Sequence, residues 1–521
     1  MRKLALLLLL LALAVLPAVS SAKEGSRFRP AVQTRLGVVA TESPAAAVVG
    51  RDVLERGGNA ADAAAATVFA LNVARPQSCG IGGGGFAVYR QANGRVTSID
   101  FREIAPGTFT PQTLQGPGLH KTFTGHLTVG VPGTLAGVDL LLRRYGTRSL
   151  AESIAPAARL ARRGVEVTGS LSAAMAANAG RLKLFPAAAG QFLLDGQPYP
   201  AGSILRQPDL ARSLELIARQ GTRAFYGGEI ARRIEADMAT ASQREGDAAE
   251  LRLSDFRAYR AKERRPVIGS YRGRTIVSVP PPSSGGTTLL EMLNILSGYD
   301  LASLGPSSAD ELHLVAEAQK LAWADRNAYV ADPDFVNVPT AGLISPRYGA
   351  ERRSLIDPAH AQTYTKGTPP GTAGASPRAG ASPGDSHPQA STTHISIIDA
   401  RGNAIALTCT IEQEFGSAVV APGTGFLLNN ELTDFGDPGT ANEAGPYKRP
   451  RSSMAPTIVV QRRAPVLVVG GAGGARIIMG VVDAVLNVTD FGYDVAHAVD
   501  AERTDDPTGT MTIEDLRVGA D

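Results

Sequence analysis

The stretch "TTHISIIDARGNAIALTCT", residues 392–410, limits the fold more tightly than any other part of the chain. "THISIID" alternates apolar and polar residues, "ARGN" has turn chemistry, and "AIALTCT" alternates again, which predicts two matched strands joined by a tight loop. If Asp399 pairs with Asn403 across a three-residue loop, Thr410 falls opposite Thr392; a slip of one residue places it opposite Thr393 instead. Either register brings a hydroxyl beside the start of the first strand. Upstream, from about Thr363 to Ser391, the chain is Gly, Pro, Ala, Ser and Thr with almost no large apolar residue. Such a segment buries too little surface to order itself and is expected to be an exposed, flexible loop. The boundary between loop and strand falls on two threonines.

The remainder of the chain has the means to fold. With 521 residues, 44% hydrophobic and 19% charged, it can bury the core of one large or two ordinary domains. The opening "MRKLALLLLLLALAVLPAVSSA" has two basic residues, an apolar run and then small residues, the pattern of a cleaved export signal over 1–22. Export to the periplasm or the medium is therefore expected. The formal charge is +3, and loss of Arg2 and Lys3 with the signal would leave 3 − 2 = +1, so no nucleic-acid partner is expected. Two cysteines, Cys79 and Cys409, are too few for a disulfide scaffold, and their apolar surroundings suggest two buried free thiols. Seven histidines occur without ligand spacing, so neither a metal nor another cofactor is expected.

Pro44 to Ala74 reads as two alanine-rich helices broken at "RGGN", with Asn59 placed to cap the second. The glycines of "CGIGGGGFAVYR" satisfy G-x-G-x-x-G, but a helix precedes them and a strand follows, the reverse of a dinucleotide site. A close backbone crossing suits them better. "VTSIDF" completes a hairpin with "FAVYR" and carries Arg102 at its end. "AGVDLLLRRYG", "SIAPAARLARRG" and "ELHLVAEAQKLAWADRNAYV" have helical periodicity. "PVLVVGGAGGARIIMGVVDAVLNV" reads as strand, glycine turn and helix, which aims backbone N–H groups and a positive helix end at whatever lies above the turn.

A threonine hydroxyl needs a base to attack: a histidine, a lysine, or its own amino group once the preceding peptide bond is cut. An α-amine, with a pKa of about 7.7–8.0, suits that task near neutrality. Taken alone, Thr392 and Thr393 equally suit a strand end after a surface loop.

The company they keep decides between these. "IGGGGF" with "DFREIAP", "VPGTLAG", "PPPSSGG", "ADRNAYVADPDF", "TTHISIID", "NNELTDF", "KRPRSSMAPTIV" and "GGAGGARI" occur in this order between about Thr34 and Val488. By these segments the chain resembles the γ-glutamyltranspeptidases of the N-terminal nucleophile hydrolase superfamily. The resemblance implies an α+β fold, a four-layer αββα sandwich. It also implies self-cleavage before Thr392 into a large subunit, 23–391, with 363–391 as its flexible tail, and a small subunit, 392–521, the two products forming a heterodimer. Thr392 would attack the γ-amide of glutathione or another γ-glutamyl compound and pass the acyl group to water or to an amino-acid or peptide acceptor.

Carried over by motif, Thr410 would hydrogen-bond the nucleophile. Arg102, Ser452 and Ser453 would hold the substrate α-carboxylate, and Glu431 and Asp434, with Glu412 alongside, the α-ammonium. Gly473 and Gly474 would donate N–H groups to the oxyanion. The segment "GDPGTANEAGPY" between Phe435 and Lys448 is as short as in members without a lid loop, which implies an open cleft admitting bulky leaving groups. Arg451 stands where the family usually has leucine, beside the two serines. The family continues past the equivalent of "IEDLRVGAD" through further strands to a "DPR" motif, so a chain ending at Asp521 is expected to expose a sheet edge. Two rivals follow: a cephalosporin (glutaryl) acylase of the same fold, which Glu431 and Asp434 oppose, and an inactive, uncleaved precursor.

Overall fold

The computed structural model describes residues 33–373, 390–505 and 511–513. The signal segment and residues 374–389 of the pre-threonine loop lie outside them.

Two helices open the fold as the alanine pattern predicts. Helix α1, Pro44–Glu55, starts at Ser43 with Pro44 in its first turn. Helix α2, Ala60–Ala74, starts at a capping box in which Asn59 and Asp62 satisfy each other's backbone N–H groups. Nearly every residue of α2 is buried, because it lies across the face of the central sheet.

That sheet is antiparallel with six strands: β1 Gly37–Thr41, β2 Gly84–Arg90, β3 Val96–Asp100, β4 Lys262–Arg264, β7 Ala390–Asp399 and β8 Ala404–Gln413, in the order β1-β7-β8-β2-β3-β4. A second antiparallel sheet contains β5 Val267–Tyr271, β6 Arg274–Ser278, β9 Thr457–Gln461 and β10 Ala464–Val469, in the order β10-β9-β6-β5. Alternation assigns the faces. Ile395, Ile397, Ile405, Leu407 and Ile411 pack toward α2, with helices α3 Leu150–Arg163 and α4 Pro208–Gln220 in the same core. Phe86, Val88, Ala404 and Ala406 instead meet Ile276, Ile458, Val459 and Leu467 of the second sheet. Its core extends to helices α5 Gly285–Leu296, α6 Ala309–Tyr329 and α7 Arg476–Thr489. The layers run helix, sheet, sheet, helix.

The β7–β8 hairpin takes the first of the two registers considered: Thr392 lies opposite Thr410 and Ile395 opposite Leu407. Asp399 closes the loop, accepting from the N–H groups of Arg401 and Asn403 while its other oxygen accepts from Ala60 N at the start of α2. The strand starts at Ala390, and the register shifts between Ala390 and Thr392, where two residues of β8, Ile411 and Glu412, stand opposite the single Ser391. Upstream, residues 362–367 are held rather than loose: Lys320 Nζ donates to Gln362 O, Tyr364 Oη to Glu317, and Gly367 N to Asp325 Oδ1. The helix that pins them supplies the polar partners the segment lacks.

The cysteines correct the expectation of free thiols. Cys79 and Cys409 form a disulfide across 330 residues, with Cα atoms 5.5 Å apart. Cys409 shares the helix-facing side of β8 with Leu407, and the chain leaving α2 brings Cys79 onto that side. The composition of their neighbourhoods describes both cysteines well but carries no information on how the chain folds back.

The glycines following Cys79 fill the role of a close crossing. A Cβ at Gly83 would collide with the carbonyl oxygen of Thr410, so β2 can lie this close to the second threonine only without side chains. At the far edge of the second sheet, no strand among the described residues pairs with the outer side of β10. No helix among them is long and apolar enough to cross a membrane.

Candidate active site

The two threonine hydroxyls and the Ser391 carbonyl form a directed chain. Thr392 Oγ1 donates to Thr410 Oγ1 at 3.2 Å, and Thr410 Oγ1 donates to the carbonyl oxygen of Ser391 at 2.8 Å. Thr410 also accepts from Glu412 N at 2.8 Å, which fixes its direction. The register shift lies at this point, with Ile411 and Glu412 of β8 opposite the single Ser391 whose carbonyl the Thr410 hydroxyl reaches. A histidine base is absent from the chain of bonds. His394 is half-buried and bonds Thr408 Oγ1 and Ser396 Oγ, and loss of solvent around the ring pushes its pKa down to about 3, so it is neutral.

These threonines open onto a small cleft lined by Arg102, Glu412, Glu431, Asp434, Ser452, Ser453 and Gly474, among others. All of the residues anticipated from the motifs except Gly473 line it. Gly473 precedes this wall; its φ of +116° and the +62° of Gly474 turn the chain sharply before α7. Left-handed values at two successive residues explain why glycine is needed there.

Arg102 is fully buried and paired with Glu431 and Asp434, while Nε donates to Pro450 O and Nη2 to Arg451 O. Burial pulls the guanidinium pKa down, but Glu431, Asp434 and Glu103 outweigh it and the net shift is upward. The charges assigned to opposite ends of a zwitterion therefore pair with each other. Glu431 is placed by the two asparagines before it. Asn429 accepts from Glu431 N and donates to Gly82 O and Gly130 O, and Asn430 bonds Gln413 N and Phe123 O. Glu412 reaches the cleft from a left-handed backbone, φ 78°, at the end of β8. Burial raises the pKa of both Glu412 and Glu431 well above the usual carboxylate range.

Ser452 and Ser453 are fixed through their backbone. Ser452 N donates to Pro282 O, and Ser452 O accepts from Ser284 N and Ser284 Oγ, each at 2.7 Å. The "PPPSSGG" segment thus grips "RSSM". Arg451, beside them, is buried; its N–H bonds Asn442 Oδ1 and its carbonyl accepts from Arg102. The short segment after Phe435 folds on itself, Lys448 Nζ donating to Ala441 O and Glu443 O, and none of residues 436–447 lines the cleft.

Motif reasoning missed three residues here. Glu103 is completely buried beside Arg102, neither carboxyl oxygen has a hydrogen-bond partner, and burial lifts its pKa to about 8. Its place in "DFREIAP" next to Arg102 is the one signal that points to it. Arg326 and Trp323 of α6 stand behind Ser453; only their occurrence in "LAWADRNAYV" hints at a role.

The family model described as "Gamma-glutamyltranspeptidase" matches residues 46–518. A glutathione hydrolase proenzyme from Escherichia coli is 41% identical over 94% of this chain and 83% of that protein. Among solved structures, cephalosporin acylase from Bacillus halodurans superposes with a TM-score of 0.82 at 31% identity, covering 93% of this chain and 86% of the other. Helicobacter pylori γ-glutamyltranspeptidase superposes at 0.61 with 38% identity, covering 64% of this chain and 95% of that one.

Proposed function

This chain belongs to the γ-glutamyltranspeptidase family, and from that premise we propose that Thr392 is the nucleophile with which it performs γ-glutamyl transfer and glutathione hydrolysis. The observation that carries the proposal is the hydroxyl chain from Thr392 through Thr410 to the Ser391 carbonyl.

In maturation, Thr392 Oγ1 adds to the Ser391 carbonyl carbon while the Thr410 hydroxyl steadies the developing oxyanion. Collapse breaks the Ser391–Thr392 C–N bond, the threonine nitrogen takes up a proton, and an ester to Thr392 remains. Water then hydrolyses that ester, leaving residues 23–391 and 392–521 as partner subunits. The new α-amine of Thr392 is the base for turnover. It takes the hydroxyl proton as Oγ1 attacks the γ-carbonyl of the substrate, Gly473 and Gly474 donate to the oxyanion, and the proton passes to the leaving amine. Water, or the amine of an amino acid or peptide, then attacks the γ-glutamyl ester.

Specificity follows from the buried charges. A γ-glutamyl head brings one carboxylate and one ammonium, so it enters the Arg102–Glu431–Asp434 cluster without changing its net charge. The carboxylate goes to Arg102, Ser452 and Ser453, and the ammonium to Glu431 and Asp434 with Glu412. The short segment 436–447 stays off the cleft, which leaves room for a peptide-sized leaving group. The apolar run at 4–16 and the small residues after it support export.

A denaturing gel of the purified full chain under reducing conditions tests the nucleophile. Two pieces are expected from the natural sequence and one uncut chain from Thr392→Ala; a single band from both would overturn the assignment. The kinship to cephalosporin acylase gives a second activity to weigh. Glu431 and Asp434 in the cleft favour a substrate with an α-ammonium, and comparing γ-glutamyl with glutaryl p-nitroanilide decides between them.

A further inference from the structure

We propose that Ser78 is a positioning residue for the self-cleavage: it holds the Ser391 side chain so that the Ser391 carbonyl stays on Thr410, and the Cys79–Cys409 bridge sets the spacing of these two anchors. This rests on Ser391–Thr392 being the bond that is cut, and adds what keeps that bond within reach.

Ser391 is half-buried and is gripped at two atoms. Its carbonyl oxygen accepts from Thr410 Oγ1 at 2.8 Å, and its hydroxyl lies 2.7 Å from Ser78 Oγ, in a bond that either serine can donate. One anchor is on the backbone and the other on the side chain, so the carbonyl cannot swing while both hold. Ser78 is itself fixed. It is fully buried just after α2, its N–H donates to Arg75 O at 3.0 Å, and the carbonyl before it, Gln77 O, accepts from Phe415 N at 3.0 Å. The reaction needs such a grip, because Thr392 Oγ1 attacks the carbonyl of its own preceding residue. A carbonyl free to rotate spends little of its time in the geometry for attack.

The bridge joins the two anchors. Ser78 immediately precedes Cys79, Thr410 immediately follows Cys409, and the two cysteines are bonded with Cα atoms 5.5 Å apart. The groups that hold Ser391 are thus chain neighbours of the two ends of one covalent link. Along β7, alternation puts Ser391 and Thr393 on the same face, and Thr393 is the register partner of Cys409. The bridge therefore ties the segment that carries Ser78 to the strand that carries Thr410, on the side from which Ser78 reaches Ser391. This role ends with the cut. Afterwards Ser391 is a chain end, and Thr392 acts on a substrate from outside.

The test follows the first-order appearance of the two pieces from freshly synthesised full chain on reducing denaturing gels, beside kcat/KM for γ-glutamyl p-nitroanilide per cut chain. Ser78→Ala is expected to slow the cut about 5- to 10-fold, as for loss of one hydrogen bond, while kcat/KM of the cut protein stays within about twofold. Ser391→Ala, which removes the other hydroxyl and leaves Ser78 in place, should slow the cut by a similar factor. The double variant should be little slower than either single one. Cys79→Ala combined with Cys409→Ala should slow the cut at least as much as Ser78→Ala. Cutting of Ser78→Ala and Ser391→Ala at the natural rate, effects that multiply in the double variant, or equal losses in cutting and in turnover would overturn the proposal in favour of a purely structural serine. Natural-rate cutting without the two cysteines would overturn the part given to the bridge. If the natural sequence is not cut at all, it is the assignment of Thr392 that fails.

Discussion

Two of the clusters that set a buried basic side chain among carboxylates differ in how completely those carboxylates are bonded. His126 sits between Asp237, at 3.0 Å from Nε2, and Asp247, at 2.7 Å from Nδ1, and its backbone N–H also bonds Asp247. Arg102 instead faces Glu431 and Asp434 with Glu103 at 4.0 Å, and buried oxygens of Glu103 and Glu412 have no hydrogen-bond partner. A cluster that serves only the fold satisfies its polar groups. The Arg102 cluster holds more carboxyl oxygens than it can bond, and a substrate that brings both an ammonium and a carboxylate would add partners without changing the net charge.

The largest expected effect comes from removing the cation of the unsatisfied cluster. Arg102→Gln should lower kcat/KM for γ-glutamyl p-nitroanilide by about 10²- to 10³-fold, as for loss of one partner from a buried charge pair. Steady-state kinetics on cleaved protein would check it, and a loss under tenfold would make the arginine structural. Next in size is Glu431→Gln, expected to cost about 10²-fold on the γ-glutamyl substrate while changing the glutaryl analogue far less, because only the former carries an ammonium. Equal losses on the two would break the assignment of opposite ends of the clamp.

The smallest kinetic effect belongs to the satisfied cluster. His126→Gln should leave kcat/KM of the folded protein within about twofold, yet destabilise it by about 3 kcal/mol below pH 6, the scale for breaking a buried pair. Burial lowers the His126 pKa, but the bonds to Asp237 and Asp247 outweigh it and the net shift is upward. A raised folded-state pKa makes the stabilisation fully present below the unfolded value of about 6.5 and removes it as pH rises through the folded value. Denaturant melts of both proteins should therefore converge at alkaline pH; a gap that widens with pH would contradict a charged His126.

Local pattern was enough to identify the strands of the hairpin, because alternation and a tight turn leave two registers, and one of them places Thr410 beside Thr392. The capped helices and the strand–glycine–helix unit before α7 were legible for the same reason: their signals lie within one element. Motifs carried the cluster, since Arg102 lies more than 300 positions from the segment that holds Glu431 and Asp434, a distance periodicity cannot join. What stayed hidden depends on the path of the chain between distant elements. Cys79 and Cys409 pair because α2 and β8 share a face, and Arg326 reaches Ser453 across 127 positions. The register shift opposite Ser391 was hidden as well, because one extra residue in β8 leaves no trace in composition.

The Cys79–Cys409 bridge changes what kind of molecule the cut would produce. Two subunits held by packing alone part on dilution, since their separation obeys mass action. Here the bridge joins a residue before the proposed cut to one after it, so a chain cut there would remain a single covalent species at any concentration. Its melting midpoint should be independent of protein concentration while the bridge is intact, and should fall with dilution once the bridge is reduced.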